Sequence, residues 1–170
     1  LCDTGVVVSE SLRIGGDSFN EAIIQYVRRK KKLVIGPLTA EEIKISAGTV
    51  DRRSEEREVE IRGRDVISGL PKIVTLHSLE IQRALESQVM IILEAVKSIL
   101  EKTPPALVAA IGDHGIILTG GGALISGLDR VISRSVGIAA YLVELPRYAV
   151  IKGVAKTLDE MSSLRDTLED

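Results

Sequence analysis

Three consecutive glycines, Gly120 to Gly122, are the clearest chemical signal in the chain. They follow a short apolar segment, residues 116–119, and precede Ala123 and a segment with helical periodicity, an order that predicts a buried parallel strand, a bare turn and a helix start. Because glycine has no Cβ and adopts positive φ readily, such a turn lets main-chain N–H groups approach a flat or anionic ligand. The turn indicates nucleotide binding, and a tight turn without any ligand explains the glycines equally well.

Two better-known glycine motifs do not fit this turn. A Walker-type phosphate loop needs Lys and then Ser or Thr after its last glycine, but Gly127 is followed by Leu128 and Asp129. A dinucleotide-binding fingerprint needs a third glycine at position 125, which is Ile125, and an acidic residue at the end of a second strand. The first motif is excluded, and the second has little support.

A second candidate pair, Glu41 and Lys44, stands on a predicted short helix. That helix is expected to open with a capping box, Thr39 as N-cap and Glu42 at N3. Residues three apart share a helix face, so the spacing predicts a surface ion pair. The same two side chains could hold the ribose or base of a nucleotide if the fold brought this helix beside the glycines. Spacing alone does not decide between these two roles.

Composition excludes several other functions. The chain has 22 Lys and Arg against 24 Asp and Glu, a net charge of -2, which argues against nucleic-acid binding by phosphate neutralisation. Aromatic residues make up 2% of the chain, too few for a base-stacking platform. The single cysteine, Cys2, cannot form an intrachain disulfide, and His77 and His114 are too isolated to predict a zinc site. No apolar run approaches the length of a membrane span.

The elements that must position these residues alternate between helix and strand. Residues 58–62 alternate as a strand with residues 73–76 as the hairpin partner, and residues 5–14 predict a strand pair or one bent strand. Helices are expected after Asp17 and Ser78 as N-caps, from Pro104 at a first helical position, and from Arg147. A short helix with Val131, Ile132 and Val136 and a strand at residues 141–143 follow the glycines. The order predicts an α/β domain that carries a smaller α+β lobe.

Four stretches together resemble the second half of the bacterial actin homologues of the MreB, or rod shape-determining, family. They are residues 11–17, 39–44, 100–105 and 115–128, and the likeness runs over about residues 5–161. The resemblance implies an α/β fold, the ribonuclease H-like second domain of an actin-like ATPase with a smaller α+β subdomain. It places the first part of the inner subdomain at residues 1–48, the outer subdomain with the long helix at 49–112, the inner subdomain with the adenosine motif and C-terminal helix at 113–161, and a polar tail at 162–170.

The resemblance also implies a nucleotide site. The backbone platform for adenine and the α-phosphate is expected at Gly120, Gly121, Gly122 and Ala123, and the opposite wall, which bonds the ribose and base, at Glu41 and Lys44. ATP is the implied cofactor, and Mg²⁺ ligands and catalytic residues are expected outside this chain. The complete protein is thus expected to be a slow ATPase and this chain alone to be inactive. The chain departs from the family pattern at residues 145–148, Leu-Pro-Arg-Tyr, where the family has a more acidic turn.

The function implied is that of a cytoplasmic, MreB-like actin that forms ATP-dependent filaments and directs cell shape through cell-wall synthesis. Its expected partners are copies of itself and the morphogenetic proteins MreC, MreD and RodZ, with no nucleic acid. Because the chain opens at Leu1 in mid-pattern, we expect a longer protein whose first half associates with the membrane. The alternatives are a sugar or acid kinase or an Hsp70-type ATPase of the same superfamily, or a binding module without nucleotide.

Overall fold

A computed structural model describes residues 6–159 of the chain. These residues form helices and strands in the order α1 (Gly16–Lys30), β1 (Leu33–Val34), α2 (Pro37–Ala47), β2 (Glu58–Asp65), β3 (Pro71–His77), α3 (Ser78–Lys102), α4 (Pro105–His114), β4 (Ile116–Leu118), α5 (Leu128–Val136), β5 (Ala140–Leu142) and α6 (Ala149–Asp159). Two 3-10 turns, Gly121–Leu124 and Pro146–Tyr148, follow β4 and β5. None of the helices in this part of the chain is long and apolar enough to cross a membrane.

The strands form two separate sheets. In the three-stranded antiparallel sheet, β2 lies between β1 and β3, with Ile61 opposite Val74 in the β2–β3 hairpin. In the second sheet β4 and β5 run parallel, with Ile116 opposite Ala140. A parallel pair needs a crossover connection, and here the crossover consists of the glycine turn and α5. The candidate glycines therefore lie at the carboxyl end of a parallel strand, where α/β folds bind their ligands.

The core is organised around α1, which packs against both α2 and α3. Phe19, Ile23 and Val27 recur at four-residue spacing on α1 and are almost fully buried. Each such apolar side chain contributes about 1.5–3 kcal/mol when it leaves water. The residues that meet them from other elements include Ile43 on α2, Ile81 and Leu85 on α3, and Ile132 on α5. This packing fixes α2 against the first turn of α1.

The strand-and-helix pattern expected beyond residue 58 is confirmed, but five helices begin at other residues than expected. The last of them, expected from Arg147, begins at Ala149 after a 3-10 turn. Gly15 caps α1 in place of Asp17, and Ser18 Oγ accepts the Gly15 N–H at 2.9 Å. The Thr39–Glu42 capping box does not begin α2, because Pro37 occupies the first helical position, where the missing proline N–H costs nothing.

The starts of α3 and α4 are each shifted by one residue. Ser78 is the first residue of α3, not its cap, and its Oγ accepts the Arg57 N–H at 3.0 Å. Pro104 is the N-cap of α4, and Pro105 takes the first helical position that was expected for Pro104.

The expected strand before α1 is wrong. Residues 6–14 form no regular strand, and Val6 and Val7 are 82% and 61% exposed. A strand needs the backbone of a neighbouring strand to pair its N–H and C=O groups. Among residues 6–159 no strand pairs with this segment. Gly5 and the predicted polar tail at residues 162–170 lie outside the described residues.

Candidate functional site

A cleft of about 270 Å³ brings α2 and the glycine turn together. Glu41 and Lys44 line it from α2, and Gly121 and Gly122 line it from the 3-10 turn after β4. Two arginines complete the polar lining, Arg57 from the loop before β2 and Arg147 from the turn after β5. The other lining residues are Phe19, Ile45, Gly48, Leu124, Ile125 and Ser126.

The glycine turn has a backbone that depends on glycine. Gly120 adopts φ +88° and ψ 164°, a region that is essentially restricted to glycine. The Gly120 N–H donates to the Pro146 carbonyl at 2.9 Å, and the Gly120 carbonyl accepts the Ala123 N–H at 3.2 Å. A Cβ on Gly122 would lie 3.9 Å from the backbone nitrogen of Gly16. The turn therefore runs close to the first residue of α1.

The same first turn of α1 also holds the Glu41–Lys44 pair. Lys44 Nζ donates to Glu41 Oε2 at 2.6 Å and to the Gly16 carbonyl at 3.2 Å. Asn20 Nδ2 donates to the same Glu41 oxygen at 2.7 Å. The Lys44 side chain is 13% exposed and that of Glu41 is 39% exposed. The ammonium group is thus covered, and the carboxylate remains accessible from the cleft.

The hydrogen bonds to Glu41 hold its carboxylate in place and favour its charged form. The bond from Lys44, followed by the bond from Asn20, holds the pKa of the Glu41 carboxyl below its ordinary value. Glu41 is therefore ionised at neutral pH and can only accept hydrogen bonds. Among the described residues, Lys44 and Asn20 both donate to Glu41 Oε2, so Oε1 can still accept hydrogen bonds from hydroxyl groups such as those of a ribose.

The glycine wall suits the flat or anionic part of such a ligand. The atom nearest to a Cβ built on Gly121 is 4.0 Å away, so the missing side chain leaves space beside the backbone. The first N–H groups of a helical turn have no acceptor within that turn. A nucleotide matches this donor and acceptor set. Within residues 6–159, no group of three or more His, Cys, Asp or Glu residues is arranged to hold a metal ion.

Most of the predicted site residues meet in this cleft. The structure brings Glu41 and Lys44 beside Gly121 and Gly122. The spacing of these residues in the sequence did not show whether the helix would lie beside the glycine turn. Gly120 supports the turn through its bond to Pro146. Ala123 lines a neighbouring cavity of about 450 Å³ instead. That cavity is largely apolar, with Ile14, Ile92, Val96 and Leu128 among its lining residues.

Two residues that line the cleft, and one that contacts Glu41 from beside it, are absent from the sequence prediction. Asn20 is 8% exposed and orients Glu41 through a hydrogen bond. The only indication of this in the sequence was the position of a polar side chain beside the apolar face of α1. Arg57 ends a charged loop in which nothing distinguished it from its neighbours. Arg147 belongs to the four residues that depart from the family pattern. That departure marked the turn in the sequence, but it did not assign Arg147 to the cleft.

An ion cluster forms around one buried carboxylate in the loop after α2. Asp51 is 2% exposed and accepts bonds from Arg134 Nη2 at 2.6 Å and Arg130 Nε at 2.9 Å. The bond from Arg134 is the main reason that the pKa of Asp51 lies far below its ordinary value. The Val50 N–H donates to the Ser126 carbonyl at 3.0 Å. The loop after α2 is thereby fastened to α5 and to one wall of the cleft.

Comparisons with known proteins agree with this geometry. The family model "MreB/Mbl protein" matches residues 1–166. The chain is 43% identical over 159 residues to the cell shape-determining protein Mbl of Bacillus subtilis, covering 94% of this chain and 48% of Mbl. It is 46% identical over 155 residues to the cell shape-determining protein MreB of Escherichia coli, covering 91% of this chain and 45% of MreB. The chain thus spans about half the length of these relatives.

Solved structures show the same fold. MreB5 of Spiroplasma citri bound to AMPPNP superposes with a TM-score of 0.90 at 32% identity, covering 96% of this chain and 49% of that one. The double helical filament of MamK gives a TM-score of 0.66 at 22% identity, covering 81% of this chain and 42% of that one. The MamK comparison supports the fold alone.

Proposed function

The chain belongs to the MreB/Mbl family of actin-like, cell shape-determining proteins, and from this premise we propose that it is the nucleotide-binding half of a bacterial actin that assembles with ATP. Membership of this family favours the cytoskeletal function over the kinase and chaperone alternatives. The observation that carries the proposal is the ionised Glu41, held by Lys44 and Asn20, in one cleft with Gly121 and Gly122. Its relative MreB5 is bound to AMPPNP in one structure and to ADP in another.

Each wall of the cleft has its own task in this proposal. Glu41 accepts hydrogen bonds from the ribose hydroxyls, and Lys44 holds that carboxylate in place. The backbone of Gly121 and Gly122 lies against the base and the α-phosphate. Bound ATP supplies the terminal phosphoanhydride bond whose hydrolysis changes the stability of the filament. Mg²⁺ and the residues that orient the attacking water are assigned to the first half of the protein.

The proposed mechanism at the level of the whole protein is a population shift. ATP held between the two halves favours a protomer conformation that adds to a filament, and hydrolysis weakens that preference. The filament is cytoplasmic and reaches the membrane through the first half. There it guides cell-wall synthesis together with MreC, MreD and RodZ. The names of the relatives support a role in cell shape. The location of the filament, its link to the membrane, its partners and its role in cell-wall synthesis are part of our proposal.

The binding site is tested by ATP affinity in the full-length protein. Glu41→Ala removes the ribose acceptor, and Lys44→Ala leaves Glu41 without its main partner, so we expect each to weaken ATP binding about tenfold or more, since bonds to a charged group contribute about 1.5–3 kcal/mol. Glu42→Ala is the matched control, because Glu42 is the exposed neighbour on the same helix and lines a different cavity. Unchanged affinity in both cleft variants would overturn the proposal.

A further inference from the structure

The turn after β5 is built so that it meets the glycine turn. Leu145 adopts φ +51° and ψ 58°, a left-handed conformation that costs a bulky residue about 1–2 kcal/mol. This bend brings the buried Pro146 against β4, where the Pro146 carbonyl accepts the Thr119 hydroxyl at 3.3 Å and the Gly120 N–H at 2.9 Å. The next residue is Arg147. Its position relative to the glycines is thus fixed by two hydrogen bonds.

Arg147 lies on the edge of the cleft, beside the glycine wall. Its Cγ is 4.0 Å from the position that a Cβ on Gly121 would occupy, so the aliphatic part of the side chain runs along the bare backbone. Arg147 and Glu41 line the same cleft, and the positive charge of Arg147 adds to the lowering of the Glu41 pKa. A cation and an anion therefore face the same volume.

The carboxylate indicates which part of a nucleotide fills that volume. The ionised Glu41 disfavours a phosphate group beside its own carboxylate, whereas the base and ribose carry no charge and the ribose offers hydroxyl donors. A guanidinium group is planar, always charged and stacks on aromatic rings. We propose that Arg147 is a nucleoside-recognition residue whose guanidinium lies on the face of the base. This inference rests on the proposed function, because it assigns a residue to the same site.

The test compares nucleotides that differ only in their phosphates. In the full-length protein, Arg147→Ala is expected to weaken ATP, ADP and AMP by the same factor, about fivefold to thirtyfold. Arg147→Lys keeps the positive charge but loses the planar guanidinium group. It is therefore expected to lose most of the nucleotide affinity that Arg147→Ala loses. Arg28→Ala is the matched control, because Arg28 is exposed in the last turn of α1, and it should bind like the wild type.

Several outcomes would overturn the inference. If the loss of affinity in Arg147→Ala increases from AMP to ATP, Arg147 is a phosphate contact. If Arg147→Lys binds with wild-type affinity, only the positive charge at this position matters. If Arg147→Ala has no effect in a Glu41→Ala background, Arg147 acts solely by stabilising Glu41. A wild-type protein that binds none of the three nucleotides overturns the proposed function itself. Nucleotide binding that is intact in both Arg147 variants overturns the role of Arg147 alone.

Discussion

At the scale of single residues, Asp51 joins several polar groups through one buried carboxylate. It is almost fully buried and accepts hydrogen bonds from Arg130, Arg134 and the Arg53 N–H. We predict that Asp51→Asn lowers the free energy of unfolding by about 2–3 kcal/mol, because it removes a charge from bonds to charged partners. Urea unfolding measures the change. Asp113→Asn, an exposed site near the end of α4, is the control and should stay within about 0.5 kcal/mol of the wild type.

The contribution of Asp51 should also depend on pH. Its pKa in the folded protein lies far below that in the unfolded chain, which is about 3.9. A lowered folded pKa gives stability that is present above the unfolded pKa and is lost as pH falls towards the folded pKa. The stability difference between wild type and Asp51→Asn is therefore expected to be constant from about pH 7 to 5 and to shrink below about pH 4. A difference that persists unchanged in strong acid would contradict this account.

Two glycines should respond to alanine with opposite signs. At Gly120, φ of +88° makes Gly120→Ala cost about 1–3 kcal/mol, although no atom lies within 4 Å of the new Cβ. At Gly112, inside α4, there is equal space and no positive φ, so Gly112→Ala should stabilise by about 0.5–1 kcal/mol. Thermal unfolding of both variants measures the contrast. Equal effects would mean that backbone strain does not determine the glycine turn.

Among the elements, the tip of the β2–β3 hairpin depends on one carboxylate. Asp65 Oδ1 accepts the N–H groups of Ile67 and Ser68, each at 2.9 Å, and Oδ2 accepts Lys72 Nζ at 2.9 Å. Asp65→Ala should speed amide hydrogen exchange at residues 66–70 and leave the centre of the hairpin protected. Glu60→Ala, an exposed site on the same strand, is the control. Exchange that is unchanged at the tip would show that the strands alone hold it.

Periodicity in the sequence predicted the elements that carry their own pattern. The hairpin, α3 and α5 each have an apolar face that can be recognised without the rest of the fold. Helix starts were less predictable, since Gly36 and Pro37 compete with Thr39 for the beginning of α2. The strand before α1 was predicted wrongly because β-forming residues such as Val6 and Val7 form a strand only where a partner backbone is available.

Spacing and periodicity predicted the site only as separate parts, and the family resemblance was needed to place them opposite each other. The spacing of Glu41 and Lys44 indicated a pair on one helix face, but the packing of α1 decides that this face meets the glycines. Asn20 reaches Glu41, and Arg147 reaches the cleft, through contacts between residues far apart in the chain. Such contacts leave no periodic signal, so sequence patterns could not have placed them.

For the whole molecule, we predict that nucleotide binding in this half controls assembly. The chain spans about half of its relatives Mbl and MreB, so assembly has to be measured with the full-length protein. ATP is expected to favour the polymerising conformation because it binds that conformation more tightly than the other one. A variant that empties the cleft should therefore lose the filament as well.

Sedimentation of the full-length protein with and without ATP tests the central claim most directly. We predict that the wild type enters the pellet with ATP and stays in the supernatant without nucleotide. At an ATP concentration near the wild-type Kd, Lys44→Ala should remain in the supernatant under both conditions, while Lys97→Ala, at an exposed position on α3, should behave like the wild type. Equal sedimentation with and without ATP, or ATP-dependent assembly that survives Lys44→Ala, would contradict the account.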